Sequence, residues 1–91
     1  MKATGTIIKS NGDKFNFYSA LSSPSLKELQ KIVGGYFEFI FLADGNVMVV
    51  NEEGIMLNLP HNVKASEMLF DDKKHDSIRG DVLIIKSEFI K

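Results

Sequence analysis

The chain has 91 residues, a formal net charge of −1, 44% hydrophobic and 25% charged residues, and no cysteine. This length and composition predict one globular domain over residues 1–91 and argue against a disordered chain. The absence of a basic excess argues against nucleic-acid binding, and the absence of cysteine excludes disulfides, thiolate metal sites and cysteine nucleophiles.

The hydropathy pattern argues against a membrane protein. The longest apolar stretch, IVGGYFEFIFLA, is short and is interrupted by two glycines and a glutamate. The first residues, MKATGTIIKSNGD, lack the apolar run of a signal peptide. Because a cysteine-free chain also fits a reducing compartment, we expect a cytoplasmic protein that contacts neither membranes nor nucleic acids.

The first predicted element is a β-hairpin over residues 2–20. ATGTIIKS and KFNFYSA are rich in residues that favour strands, and Asn11-Gly12 between them is a strong hairpin-turn signal.

A helix follows, and the spacing of Ser25 and Glu28 predicts a capping box at its start. The competing start is Ser23 with a proline in the first turn, and Gly34 is the predicted end because glycine adopts the left-handed conformation easily.

The next two predicted strands, YFEFIFL and VMVVN, are joined by a turn at ADGN and are apolar on both faces. Phe37, Phe39 and Phe41 share one face, whereas Glu38 and Ile40 lie on the other. Strands of this kind are covered on both sides. Two short helices can cover one side, so we expect the other side to be covered by the remaining strands or by a second subunit. A homodimer is therefore predicted.

The remaining elements complete an α+β order. We predict a turn at NEEG, a short strand at IMLNL that ends at Pro60, a helix of about Val63 to Phe70 with Asn62 as its N-cap, and a buried strand at VLII. The full order is β-β-α-β-β-β-α-β. It predicts an α+β fold with a predominantly antiparallel sheet of about six strands and two short helices.

Two polar segments, Asn51–Gly54 and His61-Asn62, are candidate sites. If the strand between them is extended, its ends are roughly 15 Å apart, so the segments meet only if the chain bends there. Glu52 and Glu53 fit either a solvated turn or a polar contact surface, and general acid–base catalysis is a further alternative. His61 fits either a surface histidine or a neutral imidazole at a helix start that binds or relays a proton.

A third polar segment, DDKKHD at residues 71–76, contains four side chains that could bind a metal. Its spacing matches no calcium loop, and two lysines interrupt it, so a solvated loop is expected. The sequence also contains no nucleophile motif and no phosphate-binding loop, because the Gly34-Gly35 pair ends a helix and does not begin one. We therefore predict neither a metal nor a cofactor.

The motifs LQKIVGGYFEFI, VNEEG, LPHN and GDVLII, in this order, resemble a family of small domains of unknown function that occurs in bacteriophages, mobile elements and their bacterial hosts. The likeness covers about residues 26–86. The positions that match the family pattern are Gly34, Gly35, Glu38, Asn51, Glu52, Gly54, Leu59, Pro60, Asn62 and Gly80. The resemblance implies an accessory protein without an established activity, and it strengthens the interpretation of Asn51, Glu52 and Asn62 as parts of one polar site.

These observations together predict an accessory protein that binds a host protein or a small ligand without catalysis. The predicted ligand-binding residues are Asn51, Glu52, His61 and Asn62. One alternative is an enzyme of unrecognised type that uses Glu52 or Glu53 with His61. Another is a purely structural interaction module, for which an exposed apolar patch suffices.

Overall fold

The computed structural model describes residues 4–19, 23–69 and 78–89. Its elements, in chain order, are β1 (Gly5–Ile8), β2 (Lys14–Phe17), α1 (Leu26–Val33), β3 (Phe37–Phe41), β4 (Asn46–Asn51), α2 (Val63–Glu67) and β5 (Val82–Lys86). A 3₁₀ turn at Ser87–Phe89 follows β5. The predicted α+β class is thus confirmed. The prediction for residues 71–76, and the last residue of the predicted second helix, lie outside the described residues.

The five strands form one antiparallel sheet in the order β2-β1-β5-β4-β3. The last strand of the chain lies in the centre of the sheet, where it pairs with β1 on one side and with β4 on the other. This position explains the composition of VLII, because a central strand with elements on both faces requires apolar side chains throughout. β2 and β3 are the two edges.

The sheet has five strands and not about six, because the segment IMLNL does not form a strand. Residues 52–58 form consecutive turns, held by the hydrogen bonds from Leu57 N to Glu53 O (2.8 Å) and from Leu59 N to Gly54 O (3.0 Å). Asn58 adopts a left-handed φ of 55°, which asparagine tolerates better than other side chains do. The local alternation is typical of a strand, but within the described residues this segment pairs with none of the five strands.

The predicted start and end of α1 are confirmed. Ser25 Oγ accepts a hydrogen bond from Glu28 N (3.1 Å), and Glu28 Oε1 accepts one from Ser25 N (2.9 Å), which completes the capping box. Gly34 ends the helix in the left-handed conformation at φ 83°. The carboxylate of Glu28 accepts a further hydrogen bond from Ser19 Oγ (2.9 Å), so the helix start is also tied to the end of the first hairpin.

The two helices lie on opposite faces of the sheet. α1 packs on the face formed by Val47, Val49, Leu83 and Ile85, which we call the α1 face. α2 packs on the face formed by Met48, Val50, Val82 and Ile84, which we call the α2 face. The chain therefore contributes cover to both faces of its own sheet, and the predicted homodimer is not required for that purpose. The homodimer stays a prediction.

Cover of the α2 face is incomplete at β3. Glu38 is exposed and Ile40 is half-buried on this face, whereas Phe37 and Phe39 pack among the α1-face side chains. α2 is only five residues long, and the turns that begin at residue 52 lie beside the β3 part of this face. Within the described ranges, no helix has both the length and the apolar character needed to cross a bilayer.

Candidate functional site

Asn51, the last residue of β4, is a buried structural link. Its Nδ2 donates to the carbonyl oxygen of Val33 at the end of α1 (3.0 Å), and its Oδ1 accepts from Glu53 N (2.7 Å). Its side chain is 6% exposed. The amide of Asn51 thus connects a helix end to the turn that follows β4, and its polar atoms are used by backbone groups.

The turns at residues 52–58 bring the two candidate segments to one neighbour, Arg79. A Cβ placed on Gly54 would lie 3.1 Å from Arg79 O and 3.3 Å from Arg79 Cβ, so the absence of a side chain permits close packing there. Arg79 Nη1 donates to Leu59 O (3.1 Å), and Arg79 forms an antiparallel β-bridge with His61. The segments approach each other because the chain bends where a strand was predicted.

Asn62 is completely buried, and its side chain connects three parts of the backbone. Its Nδ2 donates to Ile8 O (3.0 Å) and to Gly80 O (2.9 Å), while its Oδ1 accepts from Ala65 N (3.1 Å). The predicted N-cap is confirmed by the bond to Ala65 N. The two bonds from Nδ2 also join the end of β1 to the residues just before β5, and this contact was not visible in the sequence.

His61 is exposed, and its Nε2 lies 3.2 Å from the hydroxyl oxygen of Ser66. Ser66 Oγ donates its one proton to Asn62 O (2.8 Å) and accepts from Ile78 N (3.0 Å). Because that proton is already used, the contact between the imidazole and Ser66 Oγ requires a hydrogen on Nε2. Among the described residues, neither Glu52 nor Glu53 makes a hydrogen bond or an ion pair with His61.

A cleft of about 590 Å³ lies on the β3 side of the α2 face. Its floor is apolar and includes Ile40, Val50 and Ile78, and its wall is formed by the turn that carries Ile55 and Met56. Three carboxylates and one guanidinium group also line it. The charged lining residues are Glu38, Glu52, Glu53 and Arg79. The wall is unusual because Ile55 is 69% exposed and Met56 is 79% exposed.

The cleft contains some of the predicted ligand-binding residues but not all of them. Asn51 and Glu52 line it, whereas His61 and Asn62 do not. Ligand binding by these four side chains stays a prediction. Ile55 and Met56 were not identified as site residues from the sequence, because both were assigned to a short strand. The one charged residue in YFEFIF, Glu38, was the available signal for an open position on β3.

The cleft offers carboxylates for a cationic group and apolar surface for an apolar one. Within the ranges that the structure describes, no cluster of three or more histidine or acidic side chains has a metal-binding arrangement. Arg79 is partly satisfied by Leu59 O and by Asn58 Oδ1 (3.3 Å), so its charge is directed toward the turn backbone. The lining carboxylates are left as the groups available to a charged ligand.

A comparison with known protein families matches residues 5–89 to a domain of unknown function, DUF3846. Comparisons with curated proteins and with solved structures give no match. The matched range includes all five strands and both helices. Because the family match extends over nearly the whole sequence, the chain belongs to the DUF3846 family of domains of unknown function.

Proposed function

We propose that this protein is a binding module without catalytic activity, and that its cleft on the α2 face receives an apolar side chain flanked by basic residues of a protein partner. The observation that carries the proposal is the exposure of Ile55, Met56 and Leu57 beside an apolar floor. Three consecutive exposed apolar residues are unfavourable in water unless a partner covers them.

The backbone conformation of the turn at residues 52–58 is fixed by residues other than its exposed apolar ones. This supports a binding role for the exposed apolar side chains. The hydrogen bonds of Asn51, the close packing of Gly54 and the left-handed Asn58 define the turn geometry. Met56 adds little to the packing of the chain itself, since most of its side chain is in solvent. An apolar residue that contributes little to the fold fits better with recognition than with structure.

The carboxylates of Glu38, Glu52 and Glu53 around the cleft favour a basic partner segment. Charge complementarity at an interface accelerates association and excludes acidic competitors. The resemblance to a family from bacteriophages and mobile elements suggests that the partner is a host protein. The enzyme alternative has less support, because His61 is hydrogen-bonded to Ser66 and lies outside the cleft lining.

Two synthetic peptides test the proposal by heteronuclear NMR titration. One carries a phenylalanine flanked by lysines, and the other carries the same phenylalanine flanked by glutamates. We expect the lysine peptide to shift the amide signals of Glu38, Ile40, Glu52 and Met56, and the glutamate peptide to bind more weakly. Equal binding of both peptides, or shifts outside the cleft, would contradict the proposal.

A pair of matched variants separates the cleft from general surface hydrophobicity. Met56→Gln removes an exposed apolar side chain that lines the cleft. Leu26→Gln removes one that is similarly exposed, at 68%, but lies at the start of α1. Only the first substitution should weaken the lysine peptide. A response to small aromatic amines without a response to the peptide would favour a small ligand and overturn the protein-partner proposal.

A further inference from the structure

Among the described residues, the backbone groups on the outer edge of β3 have no hydrogen-bond partner. Two hydrogen bonds at the ends of β3 show which residues of this strand are bonded to β4. They run from Glu52 N to Tyr36 O (2.9 Å) and from Leu42 N to Asn46 O (2.9 Å), and both fit the β3–β4 register. Hydrogen-bonded pairs alternate in an antiparallel ladder, so the even-numbered residues of β3 bond to β4. The N–H and C=O groups of Phe37, Phe39 and Phe41 therefore point away from the sheet.

This edge has few of the features that protect sheet edges from pairing. Its one charged residue is Glu38. β3 contains no lysine and no proline, and its register with β4 is continuous without a bulge. Phe41 is 63% exposed at its end. The opposite edge, β2, begins with Lys14 and carries Asn16 among its outward-facing backbone groups. Unprotected apolar edges form templates for an added strand, and charged ones resist it.

We propose that β3 pairs antiparallel with β3 of a second copy of this chain, with Phe39 opposite Phe39. The outward-facing residues must form the hydrogen-bonded pairs, and this register uses all of them. Phe37 then lies opposite Phe41 of the second copy on both sides of the two-fold axis. The result is three residue pairs that each exchange two hydrogen bonds, and one continuous sheet through both copies.

Side-chain chemistry selects this register over the neighbouring one. With Phe39 at the two-fold axis, aromatic side chains face each other on the α1 face, and aromatic cross-strand pairs are stabilising. On the α2 face, Glu38 lies opposite Ile40 of the second copy. A shift that places Glu38 at the axis would set two carboxylates directly opposite each other, which is destabilising, and would also shorten the overlap. An alignment with Ile40 at the axis would keep only two of the three outward-facing residues of β3 in hydrogen-bonded pairs within the strand. The alignment at Phe39 is therefore the one that uses all three.

The pairing would also join the two clefts. Glu38 and Ile40 line the cleft of each copy, and both residues lie beside the proposed two-fold axis. The floors of two clefts would then be continuous across the β3–β3 seam. The dimer is argued from the edge alone and does not depend on what occupies the cleft, so its test is carried out on the protein without a peptide.

Sedimentation equilibrium over a range of concentrations tests the association. We expect a mass that approaches twice the chain mass of 10.2 kDa. Phe41→Pro removes one outward N–H from each copy without removing a bond to β4, so the dissociation constant should rise by about tenfold or more. Asn16→Pro makes the same change at the β2 edge and should leave association unchanged. Circular dichroism verifies that both variants are folded.

If Phe41→Pro does not fold, Phe41→Lys is the second variant, because it keeps the N–H group and places a charge at the dimer seam. It too should weaken association. A chain that stays monomeric at every concentration would overturn the proposal. So would an equal effect of the substitutions at the two edges, since that result would show that β3 has no special role.

Cysteine cross-linking tests the register, because the natural chain has no cysteine. A mixture of Glu38→Cys and Ile40→Cys proteins should form a disulfide-linked dimer on oxidation, since directly opposite residues without mutual hydrogen bonds have Cα atoms about 4.5 Å apart. Glu38→Cys alone should not cross-link, because Cα atoms more than about 7 Å apart cannot form a disulfide. Efficient cross-linking of Glu38→Cys alone would refute the alignment at Phe39.

Discussion

Replacement of Asn62 distinguishes two explanations of this buried amide. As a simple N-cap, Asn62 needs only an acceptor for Ala65 N, and aspartate would serve equally well. In the structure, Nδ2 also donates to the carbonyl oxygens of Ile8 and Gly80. The side chain therefore has to be both an acceptor and a double donor, and asparagine is the residue of this size that provides both.

The magnitude follows from the groups that lose their partner. Asn62→Ala removes three hydrogen bonds, to the carbonyls of Ile8 and Gly80 and to the N–H of Ala65, at a site with no solvent exposure. Unpaired buried polar groups cost about 1–3 kcal/mol each, and partial relaxation of the site reduces the sum, so we expect a loss of about 4 kcal/mol. A domain of this size has a free energy of unfolding of about 5–14 kcal/mol. The midpoint of thermal unfolding should fall by roughly 15–30 °C.

The decisive variant is Asn62→Asp, measured by urea unfolding at pH 7. It keeps the acceptor for Ala65 N but directs a buried carboxylate at two carbonyl oxygens. The free energy of unfolding should therefore fall at least as far as in Asn62→Ala. Part of this loss should be recovered at acidic pH, because the protonated carboxyl group of the new aspartate can donate one hydrogen bond. Asn16→Ala, at an exposed position, should change stability by about 0.5 kcal/mol or less. A stable Asn62→Asp protein would refute the three-bond account and leave only the cap.

Three further predictions concern other parts of the fold. Gly5→Ala should destabilise the protein by about 3 kcal/mol in thermal unfolding, because the new Cβ would collide with the backbone oxygen of Ile84. A neutral result would contradict that close approach. Asn51→Asp should lower the free energy of unfolding in urea by about 2 kcal/mol, because the lost amide leaves the Val33 carbonyl at the end of α1 unpaired. If Asn51 served only to form the turn, aspartate would be tolerated. Hydrogen bonds from the backbone of Ser25 and from Ser19 hold the pKa of Glu28 below its ordinary value of 4.5. The stabilising contribution of the Glu28 carboxylate is therefore fully present above pH 4.5, and it is lost as the pH falls through the lowered pKa. The difference in stability between the natural protein and Glu28→Gln should therefore be largest near neutral pH and small in acid, and a difference independent of pH would contradict the role of the charge.

Local signals in the sequence were sufficient where a few neighbouring residues determine the outcome. The capping box of Ser25 and Glu28, the left-handed Gly34 and the hairpin turn at Gly12 are all decided within a few residues of chain. The alternation in β3 and the apolar run of β5 likewise predicted strands, because the two-residue period assigns side chains to faces. Those features were enough for the α+β class.

The same local reasoning was wrong for residues 55–59. Ile55, Leu57 and Leu59 alternate with other residues as a strand would, but a strand also needs a neighbouring strand to satisfy its backbone. The chain instead satisfies those groups internally, with bonds such as that from Leu59 N to Gly54 O. As a result, apolar residues that were predicted to form a strand are exposed in a turn beside the cleft.

The sequence by itself determined the class of fold, the helix ends and the identity of the turn residues, since each depends on contacts between near neighbours. Tertiary structure alone decided that the last strand lies in the centre of the sheet, that the helices cover opposite faces, and that Arg79 contacts both polar segments. It also decided the use of the amides of Asn51 and Asn62. Their partners, Val33, Ile8 and Gly80, are distant in sequence, and hydrogen bonds between distant residues leave no periodic pattern that a single chain could display.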